Sequence, residues 1–473
     1  MSKLQFMKRI LVALYCALFG IAAAAYGQTA PAQAPPAKSA PTASDSADFL
    51  RLTDEVMAKM SAILGLAQLE PLKKSLRSRE EIRAYVLQQM KEDKEPEKRY
   101  ADERFMEKMG LLPKNFPFDD FLVDLLTEQI AGLYDPKAKE FYIASWMKPG
   151  EQEIVMAHEL THALQDQHYH LDPWRDAAKP NDDAEAARDA VLEGSATAAM
   201  MDYGLRDQGT NLDAVAATEM KLSTLLGEMD SSSPLLMKAP AFLRDSLVFP
   251  YGAGADFCMA VYRVRGGWSG FDAVFQKPPV STQQILHPGL YFRGVTPLPV
   301  TLPDLTKNLP GGWKALDSNI MGEFGLQELL KQFLPEDRAA NLAPVWAGDR
   351  YTIYEKKDKK DGKETREDLL VFRITTSSEA NAALLFGGLS DLLDHKYAKR
   401  ENLVRRPNFL SFNTDEGGVF LRCVNAECVT LEGGDLRLFD ALVHAMDWPP
   451  NPAPPAPAAT SGMAEELVFE FQM

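Results

Sequence analysis

Basic residues, histidine and cysteine are all in short supply in this chain. Lysine and arginine number 51 against 67 aspartates and glutamates, a formal net charge of −16. That sign argues against nucleic acid and against an anionic membrane surface as principal partners, because both repel it. Four cysteines are too few for a disulfide-built scaffold. No repeat of solenoid period is visible, which excludes a repeat architecture. Apart from Ile10–Ala25, no apolar run is long enough to approach a membrane span. What is left is ordinary for a globular protein: 46 % hydrophobic and 25 % charged residues. At 473 residues there is room for one large domain, a smaller one and a sizeable core.

The ends read as processing and tether segments. Lys3, Lys8 and Arg9 precede the apolar run, and small residues follow it. That is the layout of a secretory signal peptide over residues 1–27, with cleavage after Ala25 or Gly27. An uncleaved single-span anchor is the alternative, and the run is short for one. The expected destination is therefore export, to the periplasm or the outside. Residues 28–47 are rich in Pro, Ala, Ser and Thr and read as a flexible linker. The tail 449–473 has similar composition, with Glu465–Phe471 a strand candidate. Cys16 lies inside the apolar run. Cys423 and Cys428 flank a four-residue loop between two β-type runs, where a hairpin disulfide is expected. Cys258 reads as a buried free thiol.

Periodicity divides the rest. Residues 48–109 show helical spacing (Phe49, Leu52, Val56, Met60, Ile63, Leu64), and Ser78-Arg79-Glu80-Glu81 is a capping box. A helix from Phe118 leads into a hairpin around Asp135-Pro136, and further helices are expected at about 152–168, 182–203, Leu212–Leu226, Ala253–Val264 and Leu326–Phe333. The strand edge before the helix at 152–168 could bind an extended peptide by β-augmentation. From Arg350 the period changes. Strands are expected at Tyr351–Glu355 and Leu369–Thr375 around a polar Lys356–Lys363 turn, then a helix at Ser378–Lys396. Strands near Phe409–Phe412, Val419–Val424 and Val429–Leu431 and a helix at Leu436–Met446 follow. The fold class is α+β, mainly helical: a helical domain over 48–347 and a small α+β domain over 348–448 with ferredoxin-like order.

Histidine numbers only seven, yet two of them fall in His158-Glu159-Leu160-Thr161-His162. On a helix these two imidazoles lie one turn apart on one face, where both can bind one Zn²⁺, and Glu159 projects beside the metal as a general base. A catalytic zinc site needs a third protein ligand. His168 stands six residues after His162, the metzincin position, but that pattern requires a glycine where this chain has Gln165. On a continued helix His168 points to a different face. Glu193 is the better candidate. It sits among apolar and small residues, Gly194, Ala196, Ala198 and Ala199, where an unpaired charge is costly and where its helix can pack closely on the first.

His158-Glu159-x-x-His162 followed by Glu193 on a second helix resembles the gluzincin class of zinc metallopeptidases. More closely, Ala131-Gly132-Leu133-Tyr134-Asp135-Pro136, the run His158 to His168, Glu193-Gly194 and Ser281-Thr282-Gln283-Gln284-Ile285-Leu286-His287-Pro288 resemble a group of little-characterised bacterial exported proteins. The resemblance spans roughly residues 75 to 350. It implies a gluzincin-like fold with one zinc ion held by His158, His162 and Glu193. The chain departs from the relatives at Ser195, where they tend to have Asp, and from thermolysin-like enzymes at Thr197. A hydroxyl can orient a ligand but cannot supply a carboxylate's charge.

The function this implies is hydrolysis of a peptide or protein substrate, with Glu159 as base. His287 is the first candidate for donor to the developing oxyanion, with Tyr291 and Tyr251 behind it. His170, His395 and His444 have no motif context. Two other classes remain at this stage: a zinc hydrolase of a non-peptide bond, and a catalytically silent envelope binding protein that keeps the fold.

Overall fold

The computed structural model describes residues 43–92, 95–147, 149–225, 233–360 and 363–450. The signal-peptide segment, most of the linker and nearly all of the tail lie outside them. Among the described residues no helix is long and apolar enough to cross a membrane.

The helical part begins with α1 (Ala43–Leu64), whose Phe49, Val56, Met60 and Leu64 are buried as the periodicity required. The strand β1 (Lys73–Arg77) follows, then α2 (Arg79–Lys91), α3 (Pro96–Met109) and α4 (Phe118–Gln129). The expected capping box opens α2: the Ser78 hydroxyl accepts from Glu81 N–H while Glu81 accepts from Ser78 N–H. Beyond α4 come β2 (Gly132–Asp135) and β3 (Glu140–Ala144), the anticipated hairpin, in which Asp135 Oδ1 accepts from the N–H groups of Lys137 and Ala138. β1 corrects the all-helical reading of residues 48–109. Its sequence, Lys-Lys-Ser-Leu-Arg, carries almost no alternation, and pairing in parallel with β3 makes it a strand in a sheet of order β1-β3-β2.

Three long helices form the centre: α5 (Pro149–Tyr169), α6 (Asp182–Asp207) and α7 (Ala241–Arg265). Asn181 caps α6, its side chain accepting from Ala184 N–H. α7 starts well before the expected Ala253 and carries Pro250 inside it. Proline lacks the N–H that continues a helix, so the sequence signal broke there, whereas burial of Leu243, Leu247 and Phe249 keeps the earlier turns in place. The expected helix Leu212–Leu226 is instead two short pieces, Leu212–Ala216 and Leu222–Leu225. Between them the Thr218 hydroxyl donates to Val215 C=O and accepts from Met220 N–H, replacing helical bonds with local ones.

The C-terminal sheet has seven strands, all antiparallel, interrupted by helices: β4 (Trp313–Asn319), α8 (Gly322–Phe333), β5 (Trp346–Lys360), β6 (Lys363–Thr376), α9 (Glu379–Lys396), β7 (Glu401–Arg406), β8 (Phe409–Thr414), β9 (Gly417–Val424), β10 (Glu427–Gly434) and α10 (Leu436–Ala445). Its order is β4-β5-β6-β10-β9-β8-β7, which corrects the ferredoxin-like expectation. Two meanders meet where β6 pairs with β10, and α9 carries the chain from β6 to the far edge. The expected polar turn at Lys356–Lys363 is largely strand, since β5 and β6 pair on past Lys356↔Glu367. Its alternation lies in charges rather than in apolar residues, so the hydrophobic pattern missed it. Cys423 and Cys428 sit opposite each other on β9 and β10 and are bridged; Cys258 is a buried free thiol.

The boundary expected at 347/348 falls inside β5, and β4 belongs to the sheet. One sheet face (Leu369, Val371, Phe420, Leu431) packs on α10 through Phe439 and Leu442. The other (Leu370, Phe372, Ile374, Leu421) joins α9 and the helical part, including Phe105, Leu122 and Leu126, in one apolar cluster. The two parts share a core.

The tightest helix crossing is α6 on α7. A Cβ at Gly194 would overlap the carbonyl of Gly254, and one at Gly254 would overlap the Ala190 carbonyl. Gly254→Ala is therefore expected to cost about 1–3 kcal/mol, read as a lower urea midpoint at unchanged slope.

Candidate metal centre

α5 turns His158 and His162 to one side, and their Nε2 atoms are 3.2 Å apart. α6 runs beside it and brings Glu193 Oε2 to 3.3 Å from His158 Nε2 and 3.5 Å from His162 Nε2. These spacings can be tested against an ion. A tetrahedral Zn²⁺ with bonds of about 2.0–2.1 Å holds its donors about 3.3 Å apart. The three donor atoms fit that triangle. All three residues are buried, with exposures of 0, 2 and 3 %.

Their electrostatics suit a cation. Burial opposes ionisation of Glu193, but the two imidazoles outweigh it and hold the carboxyl at about 2. Burial likewise lowers the pKa of His158, against the pull of Glu193. Metal binding requires a deprotonated carboxylate and neutral imidazoles.

Glu159, fully buried, is held by the edge strand: its Oε2 accepts from Tyr134 N–H at 2.9 Å, and its Oε1 has no hydrogen-bond partner. Burial, then the charge of Glu193, raises its pKa well above the ordinary carboxyl value. Gly132 allows β2 to come this close. A Cβ there would lie 2.6 Å from Val155 Cγ1 and 3.5 Å from Glu159 Cγ. All four residues of β2 are buried, so the edge expected to bind an extended peptide is covered.

The polar run after His162 links the surrounding elements. Gln165 donates to Ser195 Oγ on α6 at 2.8 Å. Asp166 Oδ2 accepts from the Tyr134 hydroxyl and from Lys139, and its Oδ1 accepts from Leu171 N–H. Gln167 Oε1 accepts from the N–H groups of Leu69 and Glu70. His168 Nε2 lies 2.8 Å from the Ala67 carbonyl, and α5 is unbroken past it, so the metzincin alternative has no geometric support. The sequence signal for these links was a run of amides and acids on a helix otherwise destined for burial.

Other expected site residues are divided. Tyr251 is next to the centre: its buried ring stacks on His158, centroids 6.1 Å apart and planes 27° apart. His287 is engaged elsewhere, its Nε2 2.7 Å from Glu323 Oε1, and the Tyr291 hydroxyl donates to the Lys277 carbonyl at 2.9 Å. The cause is the segment around them, which is a structural staple: Thr282 N–H donates to Asp183 Oδ1 and Gln283 Nε2 to the Trp346 carbonyl. Gly194 faces α7 rather than α5; Ser195 is the small residue that meets α5 through Gln165. The Thr197 hydroxyl and His158 Nδ1 are both buried without hydrogen-bond partners.

A family model described as a domain of unknown function (DUF8575) matches residues 310–439, the stretch that holds the seven-stranded sheet. It does not reach α5 or α6. No curated protein and no solved structure matches the chain.

The purified chain is expected to carry one zinc ion, which Glu193→Ala loses and His168→Ala keeps, as measured by elemental analysis. Metal loss in His168→Ala with retention in Glu193→Ala reverses the ligand assignment.

Proposed function

We propose that this chain is an exported zinc-dependent metallopeptidase of gluzincin type, with His158, His162 and Glu193 as ligands and Glu159 as general base. The observation that carries the reading is the donor triangle, 3.2, 3.3 and 3.5 Å on its sides, with the glutamate of the motif beside it. A Zn²⁺ held there would act as a Lewis acid, polarising a carbonyl and making water more acidic. Glu159 is positioned for the proton. Tyr134 N–H fixes one carboxylate oxygen and leaves Oε1 to accept from a water molecule. The buried, acid-flanked setting raises its proton affinity, which suits a group that must take a proton and then hand it to the leaving amine. Tyr251, beside His158, is the residue of the three expected donors best located to stabilise the oxyanion. Export rests on the N-terminal charge and apolar pattern.

A second reading is favoured by one observation. Glu159 and all four residues of β2 are buried, which suits a smaller, non-peptide substrate.

Cleavage of a peptide library by zinc-loaded wild type decides between them. Glu159→Gln is expected to keep zinc and lose hydrolysis; full activity in that variant removes the mechanism. Tyr251→Phe is expected to lower kcat by roughly 10²-fold with zinc content unchanged. Equal kcat in wild type and Tyr251→Phe returns the tyrosine to a packing role.

A further inference from the structure

Just past His162, α5 carries two adjacent polar residues that are almost fully buried, Gln165 and Asp166, each 3 % exposed. A buried polar side chain costs free energy unless it is hydrogen-bonded. These two find their partners on different elements.

Gln165 reaches α6. Its amide donates to Ser195 Oγ at 2.8 Å, and the Ser195 hydroxyl donates to the Leu192 carbonyl at 3.0 Å. A hydroxyl has one hydrogen. With that hydrogen on Leu192, the serine can only accept from Gln165, so the direction of the chain is fixed. Ser195 stands two residues from Glu193, and Gly194 between them sets α6 directly on α7. Gln165 sets the same stretch of α6 against α5.

Asp166 reaches β2. Its Oδ2 accepts from the Tyr134 hydroxyl and from Lys139 Nζ, both at 2.7 Å, and its Oδ1 accepts from Leu171 N–H at 3.0 Å. The backbone of the same tyrosine donates to Glu159 Oε2 at 2.9 Å. β2 is the last strand of its sheet, and this N–H serves the glutamate rather than β3. Asp166 thus grips Tyr134 at its far end while the near end grips Glu159. Glutamate is among the side chains that lose most rotamer freedom when fixed in place, so such an anchor has work to do.

We propose that Gln165 and Asp166 are positioning residues with separate tasks: Gln165 holds Glu193 in place for a metal ion, and Asp166, through Tyr134, holds Glu159 in place for the proton. This rests on the metal and general-base reading above, so each task is given a readout that needs no turnover. The full mature chain is loaded with zinc and titrated with a chelator. Gln165→Met, which keeps the bulk and loses the amide, is expected to weaken zinc on the order of tenfold, and Asp166→Asn to leave it within about twofold. Hydrogen exchange at the Tyr134 amide is expected to show the reverse, about tenfold faster in Asp166→Asn and unchanged in Gln165→Met. Tyr134→Phe removes the hydroxyl and keeps the N–H. It should match Asp166→Asn, and the double variant should be no worse than either, because the two groups act in one chain. On a cleaved peptide, Asp166→Asn is expected to lower kcat by roughly 10²-fold at unchanged KM, since a displaced base costs turnover rather than binding.

Zinc loss together with faster Tyr134 exchange in both variants overturns the proposal, because it marks a general loosening of α5. So does unchanged Tyr134 exchange in Asp166→Asn, or unchanged zinc affinity in Gln165→Met. Wild type that takes up no zinc overturns the metal reading and the proposal together. The separated pattern in a chain that cleaves no peptide upholds both placements and removes the peptidase reading.

Discussion

Two imidazoles and a carboxylate are held out of water within 3.5 Å of one another, and the architecture of the helical part follows from keeping them there. Each such group costs several kcal/mol to desolvate unless it is paired. The helices must therefore meet closely enough for the groups to serve as one another's partners. The close approach falls at Gly194 and Gly254: with no side chain at either point, α6 lies directly on α7, and Glu193, the neighbour of Gly194, is turned toward α5. A single extra carbon at this crossing would overlap backbone carbonyls and force the two helices apart.

The same economy of space acts on the other side of α5. Gly132 lets the backbone of β2 lie against Val155 and Glu159, and the reward is one hydrogen bond, Tyr134 N–H to Glu159. Asp166 then holds Tyr134 from its hydroxyl end, and Gln165 holds α6 through Ser195. β2, α5 and α6 are thus tied by two consecutive turns of α5. Ser195 is part of this frame through a neutral amide, a contact that needs no charge.

How much of this was legible depended on the range of the interaction. Local patterns read well: the one-turn spacing of His158 and His162, the Ser78 capping box, the Asp135 hairpin and the bridged Cys423 and Cys428 are all set by residues a few positions apart. Glu193 was reachable because an acidic residue in a small, apolar stretch is anomalous by itself. The partners of His287 and Tyr291 were not legible, because a histidine before a proline looks like a free loop donor and Glu323 and Lys277 are far from them in sequence or carry no local signal. β1 and the outer halves of β5 and β6 were invisible for a related reason, since their pairing partners rather than their own hydrophobicity make them strands. Pro250 hid the first half of α7, because a strong local penalty was outweighed by burial supplied from elsewhere.

The shared core constrains what the C-terminal sheet can do. Over its inner strands one face is buried on α10 and the other on α9 and the helical part, while β4 and β7 at its two edges are largely exposed. The sheet also packs on α3: Asp317 of β4 joins Asp102 and Asp182 in a cluster around Lys98, and Tyr351 of β5 stacks on Phe105. Removing the sheet would expose the α3 face on which that cluster is built and would leave Lys98 with fewer counter-charges. The stretch matched by the domain family and the stretch that holds His158, His162 and Glu193 are therefore separate in sequence but interdependent in structure. A sheet domain expressed without α3 and α4 would have to cover an apolar face that the full chain buries.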